Sequence, residues 1–78
     1  MDIAIQVRWD EEAAVFYATS EDVPGLATEA DSLDALVKKL DVMIPELLEE
    51  NCDEPPLLDE YAYSIRYQSV TKRKQRAA

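Results

Sequence analysis

The side chains of this sequence most able to do chemistry are its carboxylates, which fall in the clusters Asp10-Glu11-Glu12, Glu21-Asp22, Asp53-Glu54 and Asp59-Glu60. Clustered acids hold a hard cation such as magnesium or calcium, or divide the roles of general acid and base. Every cluster, however, falls where a solvated turn is expected, and none has the spacing of a known cation loop. No metal site and no cofactor is therefore expected. The sequence has no histidine, which removes the commonest general base, the commonest metal ligand and any His-dependent nucleophile. The single cysteine, Cys52, has no imidazole partner and no second cysteine to pair with, so it reads as a free thiol. No residue is assigned a catalytic role. The enzymatic alternative is a metal-dependent nuclease remnant in which Asp10 and neighbouring acids hold magnesium.

Two further features bear on binding. The run Lys72-Arg73-Lys74-Gln75-Arg76 puts four cations in five positions, enough to touch phosphates weakly but too short to form a folded nucleic-acid reader. The row Tyr61, Tyr63, Tyr67 could stack on bases, yet on a strand of an acidic domain it reads as core and interface.

Charge narrows the partner. The net charge is −9, and it is unevenly spread: residues 1 to 50 carry thirteen acids and three bases, residues 51 to 70 four acids and one base, and the last eight residues four bases and no acid. Such an acidic body repels phosphate and attracts a basic protein, speeding the encounter at low salt. Glu21, Asp22 and Glu29 are the acids expected to steer that encounter, with an open sheet edge completing the contact.

The elements that must position these residues follow from periodicity. Seventy-eight residues make one domain, expected over residues 1–70 with a basic tail at 71–78. A chain this short hides only about 60 % of the surface its unfolded form exposes, so a dimer or larger homo-oligomer is expected. Ile3, Ile5, Val7 and Trp9 alternate with polar or small residues, the pattern of a strand with one buried face. A second strand at residues 13–19 closes a hairpin across Asp10-Glu11-Glu12. Pro24-Gly25 predicts a type II turn, because proline presets the second position and glycine supplies the positive φ of the third. A short strand follows at 26–30. Leu33, Leu36, Val37, Leu40, Ile44, Leu47 and Leu48 then form one helical stripe, capped by Asp31 or Ser32 and kinked or broken near Met43 by Pro45. Asn51 to Asp59 reads as a connector, and Glu60 to Val70 as a fourth strand with Tyr61, Tyr63, Ile65 and Tyr67 on one face. The expected fold is α+β, an antiparallel-leaning sheet in β-β-β-α-β order with one helix packed on one face. The alternating N-terminus and the lack of a membrane-spanning apolar run argue for a cytoplasmic protein without a membrane partner.

Three segments taken together, Val7-Arg8-Trp9-Asp10, Val15 to Ser20 and Asp22 to Ser32, resemble the HicB-like antitoxins and especially their short stand-alone relatives. Leu26 and the helix opening Leu33-Asp34-Ala35 depart from the larger family and place the sequence with those relatives. The resemblance implies a partly eroded ribonuclease H-like fold of the same element order, without the catalytic carboxylates of a nuclease. It also implies a function: binding a small basic messenger-RNA-cleaving toxin of the HicA type and covering its active site, commonly as a dimer. Members that repress transcription carry a C-terminal DNA-binding module, for which residues 71–78 are too few. The remaining alternative is a stand-alone homo-oligomeric domain whose partner is itself.

Overall fold

A computed structural model describes residues 2–54 and 61–68 of the chain. Strands β1 (Asp2–Asp10), β2 (Val15–Thr19) and β3 (Ala27–Ala30), helix α1 (Leu33–Asn51) and strand β4 (Ala62–Gln68) follow one another in the expected order. The four strands form one sheet ordered β3-β2-β1-β4. β1 pairs antiparallel with β2, setting Val7 opposite Ala18 and Trp9 opposite Phe16, and β2 pairs antiparallel with β3. β4 lies parallel to β1, with Ile5 opposite Ile65, so the sheet is mixed. The reason is direction: the hairpins leave β3 running with β1, the helix carries the chain back along the sheet, and β4 must start from the end where β1 starts.

Alternation along β1 puts Ile3, Ile5 and Val7 on the helix side, where with Ala18 and Ala30 they meet Leu36, Leu40, Ile44 and Leu48. The side chains of all four helix residues are fully buried, at most 1 % exposed. Leu33 opens the same sequence stripe but stands 42 % exposed, and Trp9 39 % exposed. The helix packs on β3 and β2, so Trp9, near the end of β1, is left partly uncovered. Trp9 instead packs on Phe16 with ring centroids 4.7 Å apart, and Phe16 meets Tyr67 edge-on at 5.9 Å, so the inner face ends in a half-open aromatic row.

The helix starts where Ser32 Oγ accepts the Ala35 amide at 3.1 Å, which satisfies one of the free donors of the first turn. Asp34 adds negative charge at the positive end of the dipole. Of the kink or break expected near Met43, the break does not occur: α1 runs as one helix to Asn51 with Pro45 inside it. Burial explains this: Ile44 and Leu48 flank the proline and are fully buried, and anchoring two such side chains, at about 1.5–3 kcal/mol each, offsets the roughly 3 kcal/mol that a helical proline costs.

Candidate functional site

The sequence between the second and third strands forms the predicted turn. Leu26 N donates to Val23 O at 3.2 Å, and Gly25 has φ +81°, the geometry of a type II turn with Pro24 second and Gly25 third. Val23 and Leu26 are buried on either side of it, which pins the turn to the core. It docks on the C-terminal end of α1. The Asn51 amide donates to Leu47 O at 2.9 Å and to Pro24 O at 3.5 Å, and a Cβ at Gly25 would sit 3.7 Å from Leu47 Cδ2.

This docking brings Glu21 and Asp22 to the same end of the molecule as the acids of the late helix. Glu46, Glu49, Glu50, Asp53 and Glu54 are all exposed, with no base between residues 40 and 54, and the last helical turn has no basic residue. That charge sits at the negative end of the helix dipole, where a cation is the stabilising choice. Glu46 and Glu50, four residues apart, add repulsion of the order of 0.2–0.5 kcal/mol. The arrangement opposes local helix stability, and departures of this kind are expected at functional or strained sites. The late-helix acids were readable as a group by that sign rule. Their union with Glu21 and Asp22 depends on a contact between residues 24 and 51 and was not.

The steering acids differ in their freedom. Glu21 is exposed. Asp22 Oδ2 accepts the Ala4 amide at 2.8 Å, Ser20 Oγ donates to the Ala4 carbonyl at 2.7 Å, and the Asp22 amide donates to Ser20 Oγ at 3.0 Å. Ser20 and Asp22 thus take over the pairing of Ala4 where β2 has ended, leaving Asp22 one oxygen for solvent or a partner. Glu29 lies apart, on β3, opposite Tyr17. Lys39 Nζ donates to its backbone carbonyl, and Tyr17, Ala27, Thr28, Glu29 and Lys39 line a shallow open depression.

Asp10 Oδ1 accepts the amides of Glu12 at 3.0 Å and Ala13 at 3.3 Å, which shapes the four-residue loop and lets Ala14 take φ 54°. Among the described residues no three His, Cys, Asp or Glu side chains converge as a metal site. Cys52 is a half-buried free thiol whose amide ends the helix on Leu48 O at 3.0 Å. Tyr61 and Tyr63 pack against the core and Tyr67 is 48 % exposed. Tyr63 Oη donates to Asp41 Oδ1 at 2.5 Å. Burial, followed by that bond and the Asp41 charge, pushes the Tyr63 hydroxyl up to about 12. Burial, then the Asp41 charge, raises that of Tyr61 as well. The basic run at 72–76 lies outside the described residues. Among those described, no helix is long and apolar enough to cross a membrane.

A sequence profile described as "Domain of unknown function (DUF1902)" matches residues 2–75. The crystal structure of the hypothetical protein TTHA1013, from the extremely thermophilic bacterium Thermus thermophilus, is similar, at 42 % identity, with a TM-score of 0.79 over 94 % of this chain and 100 % of that one. No curated protein matches the chain.

Proposed function

The chain belongs to the DUF1902 family of domains of unknown function, and on that premise we propose that it is a non-enzymatic cytoplasmic domain that binds a small basic protein at its acidic end. The observation that carries this reading is the set of five exposed acids, Glu46, Glu49 and Glu50 on the last turns of α1 and Asp53 and Glu54 just past its end, which weaken the helix from its negative terminus. A cationic partner seated there relieves that repulsion, so binding recovers free energy that the free domain forgoes. Glu21 and the free oxygen of Asp22 extend the surface from the docked turn, and Glu29 adds longer-range attraction from β3. The resemblance to HicB-like antitoxins makes a messenger-RNA-cleaving protein of the HicA type the first partner to test, with the domain covering its active site.

The test is affinity capture on the tagged full chain from its native host at low and moderate salt, followed by an RNA-cleavage assay of whatever is retained. One small basic protein is expected, released as salt rises and inactive on RNA while bound. Replacing Glu49 and Glu50 with lysine should slow its association and flatten the salt dependence. Capture that ignores both salt and these two charges would sink the reading.

A further inference from the structure

The two edges of the sheet are protected unequally. β3 is four residues long, and Lys39 reaches over it to bond the Glu29 carbonyl; a short strand guarded by a lysine is a poor template for another chain. β4 is seven residues long, has no proline, and carries one charge, Arg66. Among the described residues, nothing pairs with its outer edge, and no side chain bonds its backbone. A row of free amides and carbonyls of that length recruits a strand.

The order of residues along β4 says which strand. Read about Ile65, Ala62-Tyr63-Ser64-Ile65-Arg66-Tyr67-Gln68 nearly mirrors itself. An antiparallel pairing with a second copy, centred there, sets Ile65 against Ile65, Tyr63 against Tyr67, Ser64 against Arg66 and Ala62 against Gln68. Inner residues then meet inner residues, because Tyr63, Ile65 and Tyr67 share the helix side with Ile3, Ile5 and Val7. The two Tyr63–Tyr67 pairs are aromatic cross-strand pairs, each worth about 0.2–1 kcal/mol, and they cover the half-exposed Tyr67 ring. Shifting the centre to Arg66 would oppose two like charges, and shifting it to Ser64 would shorten the overlap within the described strand. Charge also favours this edge: two copies at −9 each repel, and residues 62–68 hold no acid and one base.

We propose that two copies of this chain pair edge to edge through β4, antiparallel and centred on Ile65, so that two four-stranded sheets become one continuous sheet. This is independent of the acidic end, which lies across β1 from β4, where Asp22 bonds Ala4, and it leaves that surface open on both copies.

Sedimentation equilibrium of the full chain should show a dimer of twice 8.8 kDa. To locate the interface, Ser64→Cys in a Cys52→Ser background is labelled with a nitroxide. In the proposed register the two labelled positions are diagonal neighbours, with Cα atoms about 7–8 Å apart, and the electron spin resonance spectrum should be strongly broadened. Tyr67→Lys should raise the dimer dissociation constant about tenfold or more. Tyr17→Lys, at a comparably exposed tyrosine on the opposite face, should leave it unchanged. A chain that stays monomeric at sub-millimolar concentration, or a dimer without broadening, overturns the proposal, whatever becomes of the Tyr67 variant's folding.

Discussion

The two ends of α1 are built to different standards. At the N-terminal end every local preference is met: Ser32 caps, Asp34 sits at the positive pole, and the nearby charges are mixed, with Lys38 and Lys39 one turn on. At the C-terminal end the acids stand at the negative pole, no base answers them, and the backbone is closed by Asn51 and by the Cys52 amide. The first end is accounted for by folding alone. The second is held in place by tertiary contacts with the Pro24-Gly25 turn, so its place in the fold does not depend on a favourable surface charge.

Pro45 divides the two ends, and replacing it should have the largest effect. Pro45→Ala restores an amide for the Asp41 carbonyl and should stabilise the chain by up to about 3 kcal/mol in chemical denaturation. An unchanged midpoint would mean that the late helix is not rigidly coupled to the early one. Gly25→Ala tests the tertiary clamp from the other side. There is room for the added Cβ at 3.7 Å from Leu47, so the loss, about 1–2 kcal/mol, comes from forcing a side chain to φ +81°.

How much of this was readable in advance depends on the range of the contact that decides it. The strands, the helix and the type II turn are legible because alternation, the Leu36-Leu40-Ile44-Leu48 stripe and Pro24-Gly25 each act over a few residues. The parallel seating of β4 and the exposure of Trp9 are not, since both depend on where the helix lies on the sheet. The same holds for the site: Glu21, Asp22 and Glu29 are visible as acids, but only the fold joins the first two to Glu46–Glu54, leaves Glu29 apart, and binds half of Asp22 to Ala4. That Pro45 does not break the helix was not legible either, because helix propensity is local and the burial of Ile44 and Leu48 is not.

Smaller changes sharpen the contrast between the ends. Ser32→Ala should cost about 1 kcal/mol, the usual loss of a serine cap. Glu49→Lys should go the other way, stabilising the isolated chain by about 0.3–1 kcal/mol at low salt while weakening capture of a basic partner. Opposite signs in stability, with binding lost only at the C-terminal end, would establish the division. A Glu49→Lys variant that is both less stable and fully able to bind would remove it.

Asp41 is the test of where the division falls, because it is an acid one turn before Pro45 that works for the fold. Its carboxylate accepts the Tyr63 hydroxyl and ties α1 to β4. The Tyr63 hydroxyl is raised from 10.0 to about 12 in the folded chain, so the native state keeps a proton that the unfolded chain releases earlier. The stabilisation linked to that shift is fully present below pH 10 and is lost as pH rises from there through about 12. Denaturation midpoints followed between pH 9 and pH 12 should therefore fall, and Asp41→Asn should flatten part of that fall, since burial remains while the charge is gone. The residual slope then reports burial together with the neighbouring Tyr61. If Asp41→Asn leaves the whole profile unchanged, Asp41 belongs with the acids that face a partner, and the boundary between the two ends moves a turn toward the N-terminus.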